Sequence, residues 1–271
     1  MHIEFISSAQ NAKIKTLLEL QDKSKARKTM GLFVVEGRRE LGHCLEKGYE
    51  ADTVFWCPSI YGKSMEENID PVKELIDAGR TRVIEVSEEI YNKVAYRGGT
   101  EGVIAEIRTR NTSLKDLKLG EKPLVVVLES VEKPGNLGAV LRSADAAGVD
   151  AVIVCDPLTD LFNPNLIRSS LGGIFSVPCV ACPSEEAIAF LKDKGIQILT
   201  AQLQDSEWYY DTDMVRPTAI VIGTEATGLT GIWRKAADAH IKIPMLGILD
   251  SLNASVSAAI LMFEAVRQRN S

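Results

Sequence analysis

The sequence predicts an α/β protein: a C-terminal, mostly parallel sheet with helices on both faces, preceded by a smaller α/β domain. Three observations predict it. After Pro123, short apolar runs rich in β-branched residues alternate with helix-length stretches, and continuous apolar strands separated by helices mark a parallel sheet covered on both faces. The stretch from 108 to 123 is polar and ends in Gly and Pro signals, as a linker does. The composition, 45% hydrophobic and 25% charged over 271 residues, is that of a folded chain long enough for two domains. The expected division is a first domain over 1–107, a linker over 108–121 and a second domain over 122–271.

In the first domain, Ser7 or Ser8 can cap a helix in which Ile14, Leu17 and Leu18 form one apolar stripe. Residues 32–35 read as a strand, a helix follows from Gly37, and 51–57, 81–86 and 103–107 are further strands. In the second domain, strands are expected at 124–128, 151–155, 176–180, 196–200, 218–222 and 240–243. Helices are expected at 137–148, 165–171, 185–194, 231–237 and 252–269. Ligands of such a sheet bind in the loops beyond the carboxyl ends of its strands.

Several classes fall on composition. No apolar run approaches the roughly 20 residues that span a bilayer, and the first residues lack the basic and apolar regions of a secretory signal. Five cysteines are an odd and sparse set. Cys179 and Cys182 form C-x-x-C, but no second pair follows at zinc-ribbon spacing, and His2, His43 and His240 are far apart. The reading is a cytoplasmic protein with reduced, mostly buried thiols and no metal.

The net charge of −6 is not that of a uniformly basic nucleic-acid binder. Its distribution is uneven. Residues 11–30 carry Lys13, Lys15, Lys23, Lys25, Arg27 and Lys28 against Glu19 and Asp22, whereas 46–89 carry five basic and eleven acidic residues. The basic stretch is either a solvated helix face or a phosphate-binding surface, because phosphate contacts need clustered Lys and Arg rather than a basic whole.

Three segments carry chemistry. The first follows the strand at 124–128 and contains Asn136-Leu-Gly138-Ala-Val-Leu-Arg142. Asn136 stands where a helix N-cap is expected, and Gly138 lets a ligand backbone come close. Arg142 is either the partner of Asp145 or a charged fork suited to phosphate or a polarised hydroxyl. The second, Gly223-Thr-Glu225-Ala-Thr-Gly228, leaves a buried strand. Its order is not G-x-G-x-x-G, and no G-x-x-x-x-G-K-[ST] occurs, so NAD and ATP are poorly supported. Glu225 either holds a cation or a substrate amide, or shapes its own loop. The third runs from Ile243 through Pro244, Met245, Gly247 and Ser251-Leu252-Asn253. It is a loop so apolar that it must fold into the protein or wrap an apolar-faced ligand such as an adenine ring. Ser251 or Asn253 then starts the last helix.

Together, in this order, the three segments resemble the motifs of the SpoU/TrmH family of RNA 2'-O-ribose methyltransferases, in the SPOUT superfamily: N-x-G-x-x-x-R, G-x-E-x-x-G and I-P-M-x-G-x-x-x-S-L-N. The likeness covers 122–271. Residues 14–28 and Phe33-Val-Val-Glu36-Gly37 more loosely resemble the substrate-binding domain of ribosomal-RNA members. The resemblance implies a trefoil knot, S-adenosylmethionine bent within it, a homodimer with the site near the subunit interface, and ribosomal RNA as substrate. It implies that Gly223, Ile243 and Leu252 contact the cofactor through backbone groups, with Thr200 and Met245 in neighbouring loops. Arg142 would act on the 2'-hydroxyl, Asn136, Ser251 and Asn253 would orient it and the ribose, and Glu225 would brace the site. Lys25, Arg27, Lys28, Arg38 and Arg39 are the expected RNA contacts. The alternatives are a transfer-RNA 2'-O-methyltransferase or a knotted RNA-binding module that has lost catalysis.

Overall fold

The computed structural model describes residues 3–62, 70–96, 101–224, 227–249 and 251–271. The chain separates into two compact units, Met1–Arg110 with Phe162–Arg168, and Asn111–Leu161 with Ser169–Ser271.

The first unit contains β1 (Glu4–Ile6), α1 (Ala12–Asp22), α2 (Ser24–Met30), β2 (Leu32–Glu36), α3 (Arg38–Glu46), β3 (Ala51–Trp56), α4 (Pro58–Tyr61), α5 (Pro71–Ala78), β4 (Arg82–Val86), α6 (Glu88–Val94) and β5 (Val103–Arg108). Its five strands lie in the order β1-β4-β3-β5-β2. β4 runs parallel to β1 and β3, whereas β5 is antiparallel to β2 and β3. Ile14, Leu17 and Leu20 of α1 pack with Ile90 and Val94 of α6 against Val34, Phe55, Ile84 and Ile104 of the sheet.

Three expectations change here. The cap of α1 is Asn11, whose side chain accepts from Lys13 N at 2.9 Å. Ser8 instead accepts from Gln10 N and so shapes the turn that leads to the helix. Leu18 is only half-buried, and Leu20 completes the stripe. The basic stretch is two helices that meet at Lys23, whose backbone is extended.

The second unit contains β6 (Leu124–Glu129), α7 (Pro134–Ala146), β7 (Ala151–Cys155), α8 (Pro164–Ser169, of which only the last residue belongs to this unit), α9 (Gly173–Ser176), β8 (Cys179–Cys182), α10 (Ser184–Asp193), β9 (Gln197–Ala201), β10 (Glu207–Trp208), β11 (Thr218–Ile222), α11 (Gly231–Ala236), β12 (Ala239–Lys242) and α12 (Ala254–Arg269). Seven strands form one parallel sheet in the order β10-β12-β9-β11-β6-β7-β8. Trp233 of α11 and Ala187 and Leu191 of α10 bury one face against Val125, Val127, Ile198, Ala219 and Val221. Each such valine contributes roughly 1.5–3 kcal/mol relative to exposure. α12 packs on α7, β6 and β11.

The strand expected at 176–180 lies at Cys179–Cys182. Residues 173–176 wind a short helix behind Gly172, which takes a left-handed conformation, and Pro178 has no N–H to give a ladder. α7 begins at Pro134 rather than at 137. β10, two residues long, was not expected, because no periodicity can be read over so short a run.

Candidate active site

β12, β9 and β11 are neighbours, and their carboxyl ends open into three loops that line a cleft of about 340 Å³. The end of β9 contributes Ala201, and the loop after it Gln202. The loop after β11 contributes Gly223 and Gly228, and the loop after β12 contributes Ile243, Met245, Ser251 and Leu252. The second and third sequence segments therefore meet in one concavity, at the end of a parallel sheet where ligands bind.

Four of the five expected cofactor residues, Gly223, Ile243, Met245 and Leu252, line this cleft. Thr200 does not. It is fully buried in β9, and its hydroxyl lies 2.6 Å from Nδ1 of His240, its register partner on β12. Its neighbours Ala201 and Gln202 take the place expected of it.

The cleft suits a nucleoside with one apolar face and polar edges. Ile222, Leu229, Leu252 and Leu261 give apolar wall, and Arg234 and Lys242 bring positive charge to the lining. Oε1 of Gln202, another lining residue, is a buried acceptor with no partner among the described residues. The glycines of the second segment serve loop closure. A Cβ on Gly223 would lie 2.3 Å from the carbonyl carbon of Gly228, and Gly228 has a φ of +67°. Gly228 N donates to Thr224 O at 3.0 Å, which closes the loop. Glu225 lies outside the described residues.

The first and third segments are joined directly. Nδ2 of Asn253 donates to Oδ1 of Asn136 at 3.1 Å. Oδ1 of Asn253 caps α12 by accepting from Ser255 N at 3.0 Å and from Ser255 Oγ at 2.6 Å. Asn136 is not a cap: α7 starts two residues earlier, with Lys133 at the cap position, so the Asn136 side chain is used between segments. Gly138 also departs from expectation. A Cβ there would lie 1.9 Å from Ser169 Oγ, so the absence of a side chain admits the end of α8 rather than a ligand. Arg142 is exposed on α7 and makes no hydrogen bond or ion pair among the described residues, Asp145 included. It is not among the residues that line the cleft.

One residue was missed by the sequence reading. Glu129, buried at the end of β6, accepts from Thr230 N at 2.8 Å and from Thr230 Oγ1 at 2.6 Å. It fixes the chain where it leaves the second segment. A carboxylate closing an all-apolar strand was the available signal.

The expected RNA contacts divide. Lys25, Lys28 and Arg39 are exposed. Arg27 and Arg38 are corrected, because both are buried. Nη1 of Arg27 donates to the carbonyls of Leu20 and Gln21 at 2.6 and 3.1 Å, which ties α2 to α1. Arg38 donates to Tyr61 O at 2.8 Å and lies 3.8 Å from the centre of the Tyr61 ring.

A cleft at the carboxyl ends of parallel strands, bordered by the second and third segments, defines an α/β nucleoside-binding protein with a separate N-terminal unit. Residues 123–263 match the SpoU rRNA Methylase family, and residues 11–105 match an MRM3-like substrate binding domain. The chain belongs to the SpoU rRNA methylase family. It is 30% identical to the 23S rRNA (uridine(2479)-2'-O)-methyltransferase of Streptomyces viridochromogenes, over 97% of this chain and 92% of that protein. It is 29% identical to the 23S rRNA (guanosine(2553)-2'-O)-methyltransferase RlmP of Bacillus subtilis, over 95% and 97% of the two chains. An AdoMet-bound rRNA methyltransferase from Sinorhizobium meliloti superposes with a TM-score of 0.88 at 27% identity, with 98% of each chain covered.

Proposed function

We propose that this chain is an S-adenosylmethionine-dependent RNA methyltransferase that acts on a ribose 2'-hydroxyl of ribosomal RNA. The observation that carries the reading is the meeting of the second and third segments in one cleft, with the first segment hydrogen-bonded to the third. Gly223, Ile243, Met245 and Leu252 would hold S-adenosylmethionine, which supplies an electrophilic methyl group when bound. The reaction is an in-line displacement, so holding the hydroxyl in line provides much of the rate. Arg142 would orient the 2'-hydroxyl and its neighbouring phosphate and stabilise the charge that develops on oxygen. A guanidinium keeps its proton at neutral pH, which favours this role over that of a general base. Asn136 and Asn253, with Ser251, would position the ribose, and Glu225 would support the loop of the second segment.

The same reading includes a homodimer. Leu246, Ile248 and Leu249 of the third segment and Val256 and Phe263 of α12 are exposed apolar side chains, and such a surface marks an interaction site. A second copy would cover it and bring an Arg142 toward the cleft, which this chain's own Arg142 does not line. The trefoil knot through the third segment, the division into 1–107, 108–121 and 122–271, and a cytoplasmic site of action belong to the same reading. No helix among the described residues is long and apolar enough to cross a membrane. The two relatives modify different nucleotides, as their names state, so likeness to them does not fix the nucleotide. Lys25, Lys28 and Arg39 would present RNA from the N-terminal unit.

Calorimetry with S-adenosylmethionine, followed by transfer of a labelled methyl group to unmodified ribosomal RNA, tests the proposal. Binding followed by one 2'-O-methylated position is the expected result. Cofactor binding without transfer to ribosomal or transfer RNA would favour an RNA-binding module instead.

A further inference from the structure

The C-x-x-C spacing of Cys179 and Cys182 suggests a thiol pair, but an offset of three places the two side chains on opposite faces of β8. The register of the sheet makes a different pair. Cys155, the last residue of β7, is the direct partner of Cys182, the last residue of β8. Partners on neighbouring strands share a face, and both side chains belong to one apolar cluster. Adjacent strands are roughly 4.8 Å apart, inside the Cα separation of about 4.4–6.8 Å that a disulfide accepts. We propose that Cys155 and Cys182 are a redox-active dithiol that peroxide closes into an intrachain disulfide.

The two thiols differ in environment, which gives each a separate role. Cys155 is fully buried, whereas Cys182 is half-buried, next to the start of α10. The neighbouring Cys155 thiol holds the Cys182 thiol below its ordinary value, although burial and the carboxylates of Glu186 and Asp156 act in the opposite direction. The Cys182 sulfur and burial push Cys155 up. Cys182 is thus the accessible nucleophile and Cys155 the protected thiol behind it.

The chemistry balances with peroxide as the oxidant. Cys182 sulfur attacks one peroxide oxygen, the O–O bond breaks, and the departing hydroxide is protonated to water. Cys182 is then a sulfenic acid. Cys155 sulfur attacks Cys182 sulfur, the S–S bond forms, the S–O bond breaks, and the second hydroxide leaves as water with the proton of Cys155. Two thiols lose two electrons and one peroxide becomes two waters. A dithiol reductant reverses the change.

The test uses the full-length protein titrated with hydrogen peroxide, followed by alkylation and peptide mapping without reduction. The expected product has lost two hydrogens and contains a Cys155–Cys182 cross-link. Cys179→Ser keeps the cross-link, and Cys182→Ser abolishes it. Cys155→Ala stops at a sulfenic acid on Cys182 that dimedone traps. If the alanine variant fails to fold, the wild-type map decides alone. A cross-link through Cys179, a sulfinic acid on Cys182 of the wild type with no cross-link, or thiols untouched at a dose that consumes free glutathione would each overturn the proposal. None of these outcomes depends on the methyltransferase reading.

Discussion

Asn253 uses one side chain twice: its oxygen caps α12 and its nitrogen donates to Asn136. Asn253→Ala should cost about 1 kcal/mol for the cap, read by chemical denaturation. It should lower methyl transfer by more than that loss explains, because the tie between the first and third segments goes with it. Arg142 makes no described contact that substitution would break. Arg142→Ala and Arg142→Lys should therefore leave thermal stability and cofactor affinity unchanged while turnover falls sharply. Near-normal turnover in Arg142→Ala would remove Arg142 from the mechanism. Gly138→Ala should be destabilising by roughly 1–3 kcal/mol, since the new methyl meets Ser169. At this scale the sequence motifs named the residues but not their uses. Asn136 read as a cap and Gly138 as a ligand approach because a motif records which residue stands at a position and not what lies opposite it. Arg27 and Arg38 read as surface charges for the same reason, although each is buried and donates to backbone carbonyls that chain folding brings to it.

β5 carries a pH-sensitive group in the first unit. Glu106 is 5% exposed, and burial, with Asp52 adding to it, pushes its carboxyl up to about 7 from an ordinary 4.5. Its Oε1 has no partner among the described residues. A carboxyl raised in the folded state binds protons more tightly there. Its contribution is whole below pH 4.5 and is lost as pH rises through about 7. The loss is on the order of 3 kcal/mol. Wild-type thermal midpoints should fall from pH 5 to pH 8 relative to those of Glu106→Gln, which has no such titration. Parallel pH profiles of the two proteins would show that Glu106 is not held protonated. Elements with a strong local pattern were legible in the sequence: five of the six expected C-terminal strands lie within a residue or so of their positions, since buried parallel strands are continuous apolar runs. The exception at 176–180 and the unforeseen β10 are set by Pro178 and by pairing with β12, which carry no periodic signal.

For the molecule as a whole, a net charge of −6 coexists with an exposed basic set on the first unit. Lys25→Glu, Lys28→Glu and Arg39→Glu together should weaken RNA binding and flatten its dependence on salt, with the thermal midpoint held, because all three are exposed. Unchanged affinity and salt slope would return these residues to an ordinary solvated surface. Phe263→Glu, on the exposed apolar side of α12, should shift the mass in solution from dimer to monomer, read by light scattering. That the second and third segments meet in one cleft was legible from motif order, because each follows a strand whose neighbours the α/β pattern fixes. The nucleotide chosen was not, because it depends on the surface of the RNA as well as on that of this chain. The central claim is tested most directly by mapping 2'-O-methylated riboses in ribosomal and transfer RNA from cells that carry this protein, cells that lack it, and cells with only Arg142→Ala. The account predicts one ribosomal position that loses its methyl group in both altered strains and regains it when the wild-type chain is restored. No lost mark in either RNA, or full methylation with Arg142→Ala, would contradict it.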